Sequence, residues 1–352
     1  MSHALIVLPD DTAKPFVDAI NGATKSLRVK MFLFSHPDLL NAVIQAKKRG
    51  VHVRVMLNPA RRSGKSENAA TSKKLKAAGI EVIDSNPAFE VTHEKSMVVD
   101  DEVAFVQSLN WDVKNLTGTR DYAVVTRHAR EVDEVIKCFE ADWARKPFTV
   151  DGSTLLIWCN SNGRDRIAKF IDDTKHTLFV QNERYQDAVI IERLVRAKTR
   201  GVEVHIMARP PHKLKREKLT EGVGGLRILD DIGIKVHKLK HLKLHGKMLL
   251  ADHARAIVGS INLAPGSFDT RRELAVEVHA PEIVEQLRKI VHHDWKHSRP
   301  LDLSDEGLLA ELEKHKIDVA DELGLDVRPK KKNKQVKKGQ KRDKKKKNGK
   351  KR

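Results

Sequence analysis

Two stretches of this chain carry the same reactive side chains at the same spacing. The first holds His93, Lys95, Asp100, Ser108 and Asn110, and the second His245, Lys247, Asp252, Ser260 and Asn262. Lysine, aspartate, serine and asparagine thus stand at +2, +7, +15 and +17 from each histidine. An acid recurs at +28, as Asp121 and Glu273, each directly after an arginine, Arg120 or Arg272. In extended chain, residues i and i+2 share a face, so each histidine projects with its lysine, and each serine with its asparagine from a neighbouring strand. Such a set suits a phosphodiester. Lys95 and Lys247 offer positive charge to non-bridging oxygens, while Ser108, Ser260, Asn110 and Asn262 offer hydrogen bonds to the same anion. Two imidazoles on opposite sides of phosphorus divide the rest of the work. One attacks to give a covalent phosphohistidine; the other protonates the leaving oxygen, then deprotonates an incoming water or alcohol. An imidazole of pKa about 6.5 serves either role near neutrality, and such acid–base help is worth roughly 10² to 10⁴ in rate. No metal or other cofactor is required, because the lysines take the electrostatic role of a divalent cation.

The elements that position these groups are themselves written twice. Apolar runs separate the polar positions, Met97-Val98-Val99 and Val103-Ala104-Phe105-Val106 in the first copy, Met248-Leu249-Leu250 and Ala256-Ile257-Val258 in the second. They read as buried strands of a hairpin. Upstream, Arg49-Gly50-Val51-His52-Val53 returns 151 positions later as Arg200-Gly201-Val202-Glu203-Val204, and Asp142-Trp143 returns after 152 as Asp294-Trp295. A period this long means two copies of one unit of about 150 residues. Within each copy strand and helix alternate. Leu27 to Phe34, the helical spacing of Leu39, Leu40, Val43 and Ile44, and the alternation from Val51 to Leu57 predict a βαβ unit. Residues 131–143 and 281–295 read as amphipathic closing helices, with Trp143 and Trp295 expected in the core along with Phe32 and Phe34. The expected fold is α/β: similar α/β/α lobes over 1–150 and 151–300, packed as an internal pseudo-dimer, then a C-terminal helix capped by Ser304 within 301–328, and a tail over 329–352. A pseudo-twofold axis would bring both sets of reactive residues to one cleft, and the basic loops 61–65 and 212–216 read equally as solvated turns or as its rim, attracting anionic substrate.

HxK, four residues, D, six residues, GSxN, present twice, resembles the signature of the phospholipase D superfamily. The second copy matches in full; the first has Gln107 in place of glycine and Asp121 in place of the usual glutamate. The resemblance covers the two copies, 1–300, and implies a metal-independent phosphodiesterase or phosphatidyltransferase working through a phosphohistidine. Carried onto these positions, His93 and His245 are nucleophile and acid/base, with His93 favoured as nucleophile, and Lys95, Lys247, Asn110 and Asn262 hold the phosphoryl group. Asp121 and Glu273 match the acids that orient each imidazole through its other ring nitrogen, and Asp100 and Asp252 are expected to pin their hairpins. Gln107 is expected to crowd the first half-site. The blocks HEKSMVVDDEVAF and GSINLAPGSFDTRREL most resemble the bacterial lipid-acting branch, which points to a phospholipase D or a cardiolipin-synthase-like transferase. A nuclease or nucleic-acid end-processing phosphodiesterase, and a non-catalytic anion-binding scaffold, stay open as alternatives.

Composition narrows the partners. The net charge of +19 is concentrated at the end: Lys330 to Arg352 holds fifteen Lys and Arg against one acid, Asp343. A segment so polar is expected to be disordered and to seek a polyanion, an anionic membrane surface or nucleic acid. Aromatic residues at 5% weaken the case for base stacking. No apolar run reaches the roughly 18 residues of a membrane span, and no signal peptide opens the chain. Cys138 and Cys159 are too few for a disulfide framework. The expectation is a cytoplasmic monomer, peripheral at a membrane or associated with nucleic acid. His237, His241 and His245 stand four apart, as in a zinc helix, but the intervening residues alternate as a strand, where the rings would not converge.

Overall fold

The computed structural model describes residues 2–60, 66–211 and 219–314. The basic loops 61–65 and 212–216, the chain beyond 314 and the basic tail lie outside the described residues. The first lobe runs β1 (His3–Leu8), α1 (Lys14–Asn21), β2 (Ser26–Met31), α2 (Pro37–Lys48), β3 (His52–Leu57), α3 (Ala69–Ala77), β4 (Glu81–Asp84), β5 (Val91–Thr92), β6 (Ser96–Val99), β7 (Val103–Gln107), α4 (Val113–Gly118), β8 (Thr119–Thr126) and α5 (Ala129–Trp143). The second runs β9 (Leu156–Trp158), α6 (Gly163–Asp172), β10 (Thr177–Gln181), α7 (Ala188–Thr199), β11 (Glu203–Met207), α8 (Leu219–Asp231), β12 (Lys235–Leu239), β13 (Lys243–Leu244), β14 (Lys247–Ala251), β15 (Arg255–Gly259), α9 (Pro265–Asp269), β16 (Arg271–Arg272), β17 (Leu274–Val278), α10 (Pro281–Lys296), β18 (Ser298–Pro300) and α11 (Asp305–Lys314). Ser304 caps α11 as the sequence leads one to expect, its hydroxyl accepting from Gly307 N at 3.1 Å.

The repeated Arg-Gly-Val ends a helix and starts a strand. Gly50 and Gly201 adopt φ of 94° and 89°, a left-handed turn that glycine enters without steric cost, after α2 and α7 respectively. Parallel pairs β2–β3 and β10–β11 follow, as the βαβ reading requires. The hairpins β6–β7 and β14–β15 insert antiparallel beside β2 and β10, so both sheets are mixed, in the orders β1-β8-β7-β6-β2-β3-β4 and β18-β12-β11-β10-β14-β15-β17-β9. Asp100 and Asp252 fix this insertion. At φ of 54° and 53° they turn the hairpins, and their carboxylates accept the backbone N–H groups of Thr24, Lys25 and Ser26, and of Lys175, His176 and Thr177, at 2.7–3.1 Å.

Strand alternation sorts the apolar side chains into three clusters. Met97 and Val99 join the core under α1 and α2, with Phe16, Ile20, Leu39 and Val43. Leu249 and Ala251 do the same in the second lobe, with Ile167, Ile171 and Leu194. The residues between them, Val98 and Leu250, face a third core in which the two sheets meet, closed by Val132 and Val135 of α5 and by Val284, Leu287 and Val291 of α10. Trp143 and Trp295, expected in the core, are only half-buried, and so is Phe32, whereas Phe34 is fully buried. The aspartate of each Asp-Trp pair goes inside instead, to bind an arginine of the other lobe. Arg120 donates twice to Asp294, at 3.0 Å each, and Arg272 twice to Asp142, at 3.1 and 2.9 Å.

Candidate active site

The lobes also exchange short strands, and this exchange positions the chemistry. β13 pairs with β8, and β16 with β5. The N–H groups of His93 and Glu94 both donate to Arg272 O at 2.9 Å, and those of His245 and Gly246 donate to Arg120 O at 3.3 and 2.7 Å. At 246 only glycine fits, because an added Cβ would meet the Tyr122 ring at 2.9 Å. Each HxK segment is therefore clamped to the Arg-acid dipeptide of the opposite repeat.

The acid following each clamped arginine reaches the histidine it faces. His93 Nδ1 donates to Glu273 Oε2 at 2.9 Å, and His245 Nδ1 to Asp121 Oδ1 at 2.8 Å. Both dyads cross between lobes, and both leave Nε2 for the cleft. Burial drives the His93 imidazole down to about pKa 3, against the pull of Glu273 and with Lys95 and Lys247 adding to the shift. Near neutrality it is a neutral base. The same contact, with Arg271 and Lys95, outweighs burial and holds Glu273 at about 2. Asp121, also buried, is lowered by His245, Lys247 and the hydroxyl of Ser108.

One cleft of about 280 Å³ is lined by His93, His245, Asn110 and Asn262 together. The carbonyl oxygens of both asparagines are buried without a hydrogen-bond partner among the described residues. Lys95 and Lys247 curl back to the carbonyl oxygens of their own histidines. Burial pulls the Lys95 ammonium well below its ordinary value, so an anion placed against it supplies the missing countercharge. Asp121 does not depend on His245 alone: Ser108 Oγ donates to it at 2.6 Å and Asn115 Nδ2 at 3.1 Å.

The serines do something other than the sequence reading assigns them. Ser108 is fully buried between Asp121 and the N–H of Tyr122, and Ser260 is bonded to Leu274 N and O, so both hydroxyls are spent inside the protein. Gln107 does not crowd the half-site either. Its side chain is buried away from the cleft and accepts the Trp111 Nε1 hydrogen bond at 2.9 Å. The matching Gly259 is imposed by packing, since a Cβ there would lie 2.3 Å from Ala275 Cα. His237 and His241 form no metal site with His245; His237 stacks on Trp295 at 3.9 Å and bonds Ser298. Glu94, Cys138 and Asp142 do gather as metal ligands gather, but Lys30 Nζ already lies among them at 3.0, 3.5 and 2.8 Å, and their charge answers its ammonium.

Four cleft residues escaped the sequence reading. Glu183 accepts from Lys247 Nζ at 3.1 Å and from Arg209 at 2.6 Å, and lies 3.8 Å from His245 Nε2. Lys247, His245 and Arg209 overcome burial and keep it ionised. Arg184 and Arg271 line the same wall. Glu183 takes the place of Phe32, whose ring packs 5.0 Å from His93 and 5.1 Å from Lys95 Nζ in the first lobe. Aligning the repeats at their 151-residue offset would have set Met-Phe-Leu-Phe against Asn-Glu-Arg-Tyr and exposed the change from apolar to charged.

Twin lobes closing one cleft with crossed histidine–acid dyads define an enzyme of the phospholipase D kind. The family model described as "Cardiolipin synthase, PLD-like domain" matches residues 16–143 and again 167–295, and the chain belongs to that family. It is 25% identical over 316 residues to cardiolipin synthase B of Escherichia coli (strain K12), covering 77% of this chain and 74% of that protein. It is 24% identical over 327 residues to a cardiolipin synthase of Clostridium perfringens (strain 13 / Type A), covering 80% and 67%. Among solved structures, phosphatidylserine synthase of Haemophilus influenzae Rd KW20 superposes with a TM-score of 0.66 at 12% identity, over 91% of this chain and 94% of that one. Polyphosphate kinase from Porphyromonas gingivalis does so with 0.67 at 16%, over 85% and 48%. These two likenesses speak to the fold.

Proposed function

We propose that the protein is a phosphatidyltransferase or phospholipase D that acts on phospholipids through a phosphohistidine. The observation that carries this reading is the pair of crossed dyads presenting two Nε2 atoms to one cleft. His93, neutral and held by Glu273 at Nδ1, attacks phosphorus with the Nε2 lone pair. A P–N bond forms, the P–O bond to the leaving alcohol breaks, and His245 Nε2 gives that oxygen its proton. His245 then takes the proton of an incoming hydroxyl, whose oxygen displaces His93 from phosphorus. Lys95, Lys247, Asn110 and Asn262 hold the phosphoryl oxygens, while Ser108 braces Asp121.

The names of the sequence relatives favour lipid as substrate. No helix among the described residues is long and apolar enough to cross a membrane. The fifteen basic residues after Pro329 offer an alternative hold on an anionic surface, at roughly 1 kcal/mol for each one near it. The test is to incubate the protein in EDTA with labelled phosphatidylglycerol or phosphatidylcholine and, separately, with single-stranded and duplex DNA, beside His93→Ala and His245→Ala. Lipid turnover that both variants lose is the expected result. DNA cleavage without lipid turnover would move the activity to nucleic acid, and silence on every substrate would leave an anion-binding scaffold.

A further inference from the structure

Because the lobes are copies, each position on one wall of the cleft has a counterpart on the other. The matching registers of β2–β6 and β10–β14 set Phe32 against Glu183 and Leu33 against Arg184. The segments after β3 and β11 set Asn58 against Arg209, and the residues before Arg120 and Arg272 set Thr119 against Arg271. The second lobe thus places three guanidiniums where the first places a leucine, an asparagine and a threonine. All three line the cleft that holds both histidines.

These guanidiniums have more donors than the protein answers. Arg209 is tied to Glu183, but Arg184 Nη1 and Arg271 Nε are buried with no hydrogen-bond partner among the described residues. A buried donor left unpaired costs enough that it is ordinarily satisfied, and an anion in the cleft would supply the acceptor that these donors lack among the described residues. Of the nearby carboxylates, Glu183 is shared with Lys247, and Glu273 binds His93 through Oε2 while its Oε1, without a hydrogen bond among the described residues, stands 3.9 Å from Arg271 Nη1, beyond hydrogen-bond reach. Burial lowers the Arg184 guanidinium despite Glu183, and Arg271 and Arg209 add to that shift, so positive charge is in excess on this wall.

We propose that Arg184, Arg209 and Arg271 form a second anion subsite, which seats the phosphate of an acceptor phospholipid while the glycerol hydroxyl of that lipid attacks the phosphohistidine. The inference rests on the lipid reading above. A planar guanidinium fork matches phosphate oxygens in pairs. Water as acceptor brings no anion, whereas a phosphoglycerol acceptor brings a second phosphate into the cleft, only a few bonds from its reacting oxygen. During transfer the hydroxyl proton passes to His245 Nε2, the P–N bond to His93 breaks and a P–O bond forms, leaving two phosphodiesters joined through one glycerol.

Calorimetric titration of the full chain at physiological salt with glycerol 1,3-bisphosphate and with glycerol 3-phosphate measures the subsite directly. The bisphosphate is expected to bind at least about tenfold tighter, the worth of charge-assisted hydrogen bonds to a second phosphate. Arg184→Leu and Arg271→Thr install the side chains of the matching first-lobe positions, and each should bring the affinity ratio toward one. A ratio near one in the unaltered protein, or one that survives in both folded variants, overturns the subsite. A parallel titration with thymidine dinucleotides with and without a 5′-phosphate tests the other source of paired phosphates; a preference found there and missing for the glycerol compounds overturns the lipid occupant. Failure to turn over phosphatidylglycerol with the bisphosphate preference intact sinks the lipid reading alone, and turnover with no preference sinks the subsite alone.

Discussion

Replacing Asp121 by asparagine should cripple His245, although Asp121 and His93 belong to the same repeat. Four donors converge on the two oxygens of this carboxylate: His245 Nδ1 at 2.8 Å, Ser108 Oγ at 2.6 Å, Asn115 Nδ2 at 3.1 Å and Thr119 Oγ1. A carboxamide has one oxygen, so its amino group must face donors, at a cost of about 1–3 kcal/mol for the bond left unmade. The imidazole also loses the partner that fixes its tautomer, a change worth about 10⁴ in kcat in the serine-protease triad. The expected loss in steady-state turnover is about 10² to 10⁴. Rapid mixing with bis(4-nitrophenyl) phosphate separates the steps, because nitrophenolate leaves with little acid help. Asp121→Asn should still release a first equivalent of nitrophenolate in a burst and then stall, since His245 can no longer activate water. Glu273→Gln should slow the burst itself. An Asp121→Asn protein without a burst, beside a Glu273→Gln protein that keeps one, would refute the crossed pairing.

The low pKa of His93 makes a second prediction. From the ordinary 6.5 down to about 3, the unfolded chain binds a proton at this position that the folded chain refuses, so the contribution of His93 to stability is present above 6.5 and fades as pH falls toward 3. The nucleophile itself stays unprotonated, so the burst rate should change by less than about threefold between pH 7 and 5, where an ordinary imidazole would lose tenfold or more. Between the lobes, Arg120→Met leaves buried Asp294 with Gln181, at 3.0 Å, as its one remaining side-chain donor among the described residues, and should cost about 3–5 kcal/mol in urea unfolding. Removing residues 330–352 should weaken binding to anionic vesicles and flatten its salt dependence, while sparing turnover of a soluble diester.

The duplication and its period were legible because packing gives no reason to repeat five polar positions in register; the pinning role of Asp100 and Asp252 came only with the resemblance, and in the fold their carboxylates accept backbone N–H groups at the starts of β2 and β10. The crossed pairing was not legible. An offset of +28 locates Asp121 and Glu273 within a copy but carries no information about which copy they reach, and that is decided by the exchange of β13 and β16 across the seam. Ser108, Ser260 and Gln107 were misassigned for a related reason. Strand parity says which residues share a face, yet Gln107 turns to Trp111 and both serines are captured by local partners before any substrate arrives. Glu183 and the three arginines were missed because they mark where the copies differ, and a search for likeness passes over difference.

The position of the covalent phosphorus tests the assignment of His93 as nucleophile most directly. Quenching the His245→Ala protein during reaction with bis(4-nitrophenyl) phosphate and digesting it under alkaline conditions, where phosphohistidine survives, should give a single modified peptide with the phosphoryl adduct on His93. His93→Ala should give none. An adduct on His245, or a productive burst with no phosphorylated histidine in either protein, would contradict it.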